Sequence, residues 1–285
     1  MEFANIGVIG AGVMGTDVAL NLAQTGHRVV LVDISTEILD KAIMKIIESS
    51  RMYALFSKPE VTLPPGRLLD KITPTTDYSL LESADFVIEN VTEKWTLKEK
   101  VYPKLDMICR NEVVFAANTS TIPISRISSL TSRAAQIIGM HFMNPVPMKP
   151  AVEVIRGSLT SDETIQKTKT LLNQMGKEAI IVNDAPGFVS NRVLMLTINE
   201  AVCVLQDRIS TAEDVDRIFR LCFGHKMGPL ETADLIGLDT ILFSLESLHD
   251  HFGDSRFRPC TLLKEMVNAG LYGRKSGKGF YNYTD

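Results

Sequence analysis

Gly10-Ala11-Gly12-Val13-Met14-Gly15 stands between the apolar run Ile6-Gly7-Val8-Ile9 and a stretch of helical character, and no other feature restricts the fold of this chain so tightly. The first glycine suits a tight turn, the second lets backbone N–H groups approach a pyrophosphate, and the third lets a helix pack closely on a strand. The spacing predicts a dinucleotide cradle at the first βα turn, with Gly10, Gly12, Val13, Met14 and Gly15 against the ligand. Asp33 closes the next apolar run 18 residues after Gly15, where a carboxylate can accept hydrogen bonds from an adenosine ribose. The same acid repels a 2′-phosphate, and Ile34-Ser35-Thr36 supplies no arginine to receive one, so the expected cofactor is NAD rather than NADP.

Residues 1–184 alternate short β-branched runs with helical stretches, the rhythm of a parallel sheet covered by crossover helices. Strands are expected over residues 6–9, 29–32, 86–88, 113–116, 137–140, 152–155 and 179–182, and helices over 14–25, 36–51, 93–107 and 164–175. Pro103 should perturb the third of these helices, and Pro145, Pro147 and Pro150 leave only an ordered loop between the fifth and sixth strands. Beyond Asp184-Ala185-Pro186-Gly187 the pattern becomes helical, over 188–206, 212–223, 237–251 and 262–269. The expected fold is an α/β N-terminal domain, residues 1–184, followed by an all-α C-terminal domain, residues 185–285.

A length of 285 residues suffices for two such domains. Hydrophobic residues at 45% exclude a disordered chain, and 30 Lys plus Arg against 34 Asp plus Glu leave no basic field for nucleic acid. The longest apolar segment, residues 188–205, carries Arg192, Asn199 and Glu200, which a bilayer span would have to desolvate, so no membrane anchor is expected. That segment is nevertheless too apolar to leave solvated, and the second domain is expected to pair into a homodimer. Cys109, Cys203, Cys222 and Cys260 share no Cys-x-x-Cys spacing, and the N-terminus lacks a basic leader, which together suggest reduced thiols and a cytoplasmic location. His249 and His251 are two apart on a helix and do not face each other, so no metal site is expected.

His141 ends a strand, and the proline-rich turn after it returns the chain to Val152-Glu153-Val154. If the two strands lie side by side, Glu153 comes within reach of the imidazole. A carboxylate on one ring nitrogen fixes the tautomer and leaves the other nitrogen to take a proton from an alcohol, the requirement of a dehydrogenase. Asn118-Thr119-Ser120 follows another strand, on the carboxyl edge where open α/β sheets bind ligands, although Ser120 also suits capping of the next helix. Asn191 lies one turn into the long apolar helix, as a site amide or as a solvated one.

Taken together these segments resemble the 3-hydroxyacyl-CoA dehydrogenase family, in particular the short bacterial 3-hydroxybutyryl-CoA dehydrogenases. The likeness runs end to end, through the glycine loop, Glu89-Asn90-Val91-Thr92-Glu93, Asn118-Thr119-Ser120, residues 141–147, residues 186–192, residues 227–231 and residues 273–281. The resemblance implies a Rossmann-type NAD-binding domain, a helical domain that dimerises, and a thioester substrate in the cleft between them. It implies His141 as general base, Glu153 as its orienting partner, and Ser120 and Asn191 as holders of the substrate oxygens. Glu89, Lys94, Asn118, Ser120 and Lys275 become further cofactor contacts, and Asn144 supports the histidine loop beside the cofactor.

The chain also departs from the family. Ser49 falls where relatives place a serine near the CoA moiety, but Phe56 falls where some carry a lysine that meets it. Met148-Lys149-Pro150-Ala151 replaces a more apolar run, and Asn90 replaces a common alanine. Similar changes mark relatives in polyketide-type extender-unit biosynthesis, so a hydroxyacyl group on an acyl carrier protein is an alternative to acyl-CoA as substrate. A non-catalytic, crystallin-like NADH-binding protein is a third reading.

Overall fold

The structure is a computed structural model that describes residues 3–54 and 65–283. Its contacts divide the chain between Ala185 and Pro186 into two compact units.

In the first unit eight strands form one sheet in the order β3-β2-β1-β4-β5-β6-β7-β8. They are β1 (Asn5–Ile9), β2 (Arg28–Val32), β3 (Ile72–Thr75), β4 (Phe86–Glu89), β5 (Val114–Ala117), β6 (Ile137–His141), β7 (Ala151–Arg156) and β8 (Glu178–Asn183). All neighbours are parallel except β6 and β7, which run antiparallel. The central strands are buried on both faces, which is why Phe86-Val87-Ile88 of β4 and all of β5 read as unbroken apolar runs rather than alternating ones. The helices of this unit are α1 (Val13–Gln24), α2 (Thr36–Ala54), α3 (Pro65–Leu69), α4 (Trp95–Ile108), α5 (Ile124–Ser128) and α6 (Asp162–Gln174). Residues 15–23 of α1 are all buried, so this helix sits inside the layer rather than on it. Gly26, at φ +96°, turns the chain out of α1 into β2.

Three local features refine the sequence reading. Pro103 lies within α4 without ending it. The loop after β6 contains a single 3-10 turn, Val146–Met148. The strand β3 was missed because Ile72-Thr73-Pro74-Thr75 holds one large apolar residue and a proline, a composition tolerated at a sheet edge, where β3 lies.

The second unit contains α7 (Ser190–Gln206), α8 (Ala212–Phe223), α9 (Pro229–Ile236), α10 (Leu238–Phe252) and α11 (Thr261–Asn268) around Ile198, Val202, Leu230, Ile241 and Leu245. The first helix starts two residues later than expected because Gly187 and Phe188 both adopt left-handed backbone, at φ 72° and 49°. Two buried carboxylates close this unit. Asp216 accepts the backbone N–H groups of Leu230 and Glu231 at the start of α9, together with the Tyr281 hydroxyl at 2.7 Å. Asp234 accepts the N–H groups of Phe280 and Tyr281 and the Tyr283 hydroxyl, so the tail is tied into the helices. Burial pushes the Asp234 carboxyl above its ordinary range. No helix of the described residues is long and apolar enough to cross a membrane.

Candidate active site

The glycine loop has the shape its sequence requires. Gly10 sits at φ +91°, and a Cβ there would lie 2.8 Å from the Asn90 carbonyl oxygen, while one on Gly15 would be driven into the Gly10 carbonyl. Around Gly12 a Cβ would meet nothing within 4 Å, so the backbone faces open space at the N-terminus of α1. No side chain caps that helix, which leaves its first-turn N–H groups for an anion. Asp33 stands at the lip, its Oδ2 accepting from Ala11 N at 2.5 Å and its Oδ1 from Ile34 N at 2.6 Å. Val13 and Ile34 are exposed beside it at 71% and 84%, apolar surface that a flat ring could cover, whereas Met14 packs partly on the core. A turn, an opening and a ribose acid in this arrangement fit a bound dinucleotide.

His141 is held from two sides. It lies opposite Glu153 in the antiparallel register of β6 and β7, and its Nδ1 is 3.0 Å from Glu153 Oε2. Its Nε2 is 3.0 Å from Ser120 Oγ. His141 and Glu153 are 6% and 9% exposed. Asn118 links this pair to β4, donating to Asn90 Oδ1 at 2.8 Å and accepting from Phe142 N at 3.2 Å. Asn144 is exposed on the turn beyond.

The structure adds residues that sequence reasoning missed. Glu93 Oε1 accepts from the backbone N–H groups of Ser120 and Thr121, both at 3.0 Å, and from the Thr119 hydroxyl, and so clamps the loop that carries Ser120. Lys98 reaches Glu93 at 3.9 Å and Glu89 at 2.7 Å. Glu89 is wholly buried; it also accepts from Tyr102 at 2.9 Å and from Val91 N at 2.6 Å. Burial raises the Glu89 carboxyl, opposed by Lys98, and pushes the Tyr102 phenol well above its ordinary value. Glu89 therefore offers no surface to a cofactor, and its carboxylate orders the chain behind the cradle instead. Lys94, exposed at the N-cap of α4, is not part of this network; the sequence signal was the spacing of Lys98 and Tyr102, one helical turn apart on α4.

The remaining expected residues fall as follows. Ser49 is 2% exposed on α2, turned inward rather than outward. Phe56 lies outside the described residues. In the second unit Asn191 is half-buried in the first turn of α7, and Lys275 pairs with Asp239 at 2.6 Å.

Comparison with known proteins agrees with this geometry. The sequence model of the 3-hydroxyacyl-CoA dehydrogenase NAD binding domain matches residues 5–185, and that of the 3-hydroxyacyl-CoA dehydrogenase C-terminal domain matches residues 187–283. A protein of Deinococcus radiodurans named "Probable 3-hydroxybutyryl-CoA dehydrogenase" is 45% identical over 97% of this chain and 99% of its own length. The 3-hydroxybutyryl-CoA dehydrogenase of Bradyrhizobium diazoefficiens is 39% identical over 98% of this chain and 94% of its own. The crystal structure of (S)-3-hydroxybutyryl-CoA dehydrogenase from Ralstonia eutropha superposes with a TM-score of 0.93 at 41% identity, covering 99% of this chain and 100% of that one. The chain thus belongs to the 3-hydroxyacyl-CoA dehydrogenase family and is an NAD-dependent oxidoreductase.

Proposed function

We propose that this protein interconverts a short 3-hydroxyacyl-CoA, of the size of 3-hydroxybutyryl-CoA, and its 3-oxo form. The observation that carries the proposal is the position of His141, with a carboxylate on one ring nitrogen and a hydroxyl on the other. Bound NAD supplies the acceptor for the substrate's hydride, and NADH supplies the donor in the reverse direction. With Glu153 accepting from Nδ1–H, the His141 Nε2 lone pair is the one that takes the proton of the substrate's 3-hydroxyl. Glu153 then stabilises the imidazolium so formed, and in the reducing direction the same Nε2 returns its proton to the ketone oxygen. Ser120 Oγ holds the substrate oxygen beside Nε2. Lys94, Asn118 and Asn144 are assigned to the cofactor side.

The names of relatives, which specify a CoA thioester, favour that carrier. The test is NADH oxidation with acetoacetyl-CoA beside a carrier-protein 3-oxoacyl thioester. Efficient turnover of the first is expected. Preference for the second would replace CoA by a carrier protein, and NADH binding without turnover of either would make the chain a binding protein. The thiols of Cys109, Cys203, Cys222 and Cys260 are free, which supports a reducing, cytoplasmic setting. Exposed Val193, Leu221, Phe223 and Phe243 on the second unit support a homodimer through that unit.

A further inference from the structure

The His141–Glu153 pair is the last rung of its ladder. Gly139 pairs with Ile155, Met140 with Val154 and His141 with Glu153, and beyond that rung the two strands separate into the turn of residues 142–150. No further pairing between β6 and β7 joins the two strands on that side, so their connection there runs through the turn and what holds it.

Two buried charged side chains grip that turn at one residue. Val146, 1% exposed, donates its N–H to Asp17 Oδ2 at 3.1 Å, and its carbonyl accepts from Lys177 Nζ at 2.7 Å. Lys177 Nζ also donates to the Lys149 carbonyl at 2.7 Å, and the next residue, Glu178, donates its N–H to Pro150 O at 2.8 Å. Asp17 and Lys177 are 6% and 4% exposed. Their attachments lie on opposite sides. Asp17 belongs to α1, the helix that opens from the glycine loop, and Lys177 immediately precedes β8, which runs beside Glu153 on β7. Burying a carboxylate and an ammonium is costly, and apolar side chains of similar size would fill the same space without that cost. What apolar side chains cannot supply is a directional hold on the N–H and C=O groups of one peptide segment.

We infer that Asp17 and Lys177 are positioning residues for the reaction, clasping the Val146 turn so that Glu153 and His141 stay in register and the catalytic hairpin stays fixed to the helix of the dinucleotide cradle. The inference rests on the proposed role of the His141–Glu153 pair. Neither residue touches the reacting atoms, so their loss acts on turnover through the imidazole.

The experiment measures kcat, KM and NADH binding stoichiometry for Asp17→Ala, Asp17→Asn and Lys177→Met, each alone and combined with Glu153→Gln. Asp17→Ala and Lys177→Met should lower kcat by about tenfold with NADH affinity and stoichiometry unchanged, since a misplaced catalytic group costs up to about 100-fold. Asp17→Asn keeps an acceptor for the Val146 N–H and should recover kcat to within about twofold of wild type. In the Glu153→Gln background the tenfold loss should shrink to less than about threefold, because the register it protects has lost its purpose. The inference is overturned if folded Asp17→Ala keeps its kcat, if Asp17→Asn is no better than Asp17→Ala, or if the loss is as large in the Glu153→Gln background. Should Lys177→Met not fold, the Asp17 series decides alone. Full activity of Glu153→Gln by itself would instead remove the pair's proposed role, a separate failure.

Discussion

Lys98 and Glu89 form a 2.7 Å ion pair in which both side chains are wholly buried. Removing one partner leaves an uncompensated charge, so Lys98→Met should cost about 3–5 kcal/mol of stability in urea denaturation. Adding Glu89→Gln should return most of that loss. If the double variant is no more stable than Lys98→Met, the cost arises from packing rather than from charge.

His141→Ala should lower turnover by about 10²- to 10⁴-fold, the usual worth of general acid–base catalysis, with NADH binding nearly intact. Glu153→Gln should lower turnover as well. Groups acting as a unit do not add, so the double variant should be little slower than His141→Ala alone. Losses that multiply in steady-state kinetics with acetoacetyl-CoA would show that the 3.0 Å contact across β6 and β7 is idle.

Glu93 gathers the Thr119–Thr121 backbone and hydroxyl donors onto one oxygen, which sets where Ser120 stands. Glu93→Ala should reduce kcat by about 10- to 100-fold, while Glu93→Gln, which keeps an acceptor at the same place, should lose much less. Equal losses in the two variants would mean that the negative charge, not the clamp, is what the site uses.

Burial pulls the Lys177 ammonium down from 10.5 to about 8. The folded chain therefore binds this proton more weakly than the unfolded chain. The penalty for the charged form is present below the folded value and is relieved as pH rises from about 8 towards 10.5. Relative to Lys177→Met, the wild type should gain about 1–3 kcal/mol across that window in urea denaturation at several pH values. A stability difference that stays flat or falls would contradict the shift.

Leu221 and Phe223 are 75% and 64% exposed on α8. Light scattering at micromolar concentration should report twice the chain mass, and Leu221→Glu should shift the protein towards monomer without unfolding it. A monomeric wild type would mean that this face has another use.

The parts of the molecule that were legible in the sequence are those built from local patterns. The glycine loop, the β-branched runs and the return of the chain from His141 to Glu153 all lie within short segments, so their chemistry could be read without knowing the fold. Lys98 could not be read in this way. In a mostly polar helix it looks like a solvated charge, and only the rotation of α4 against the end of β4 buries it on Glu89. Asp17 was opaque for a similar reason, since its partner Val146 lies 129 residues away. The helix α9 was missed despite a usable signal, because Gly228 followed by Pro229 is a common way to begin a helix.

The anchoring of Phe280, Tyr281 and Tyr283 on Asp234, and of Tyr281 on Asp216, has a consequence for biosynthesis. Chains emerge from the ribosome amino end first, so these two acids wait without their final donors until residues 280–283 are released. The sheet unit has every strand it needs well before that moment, whereas the helical unit lacks these donors for two of its buried acids until residues 280–283 have left the ribosome.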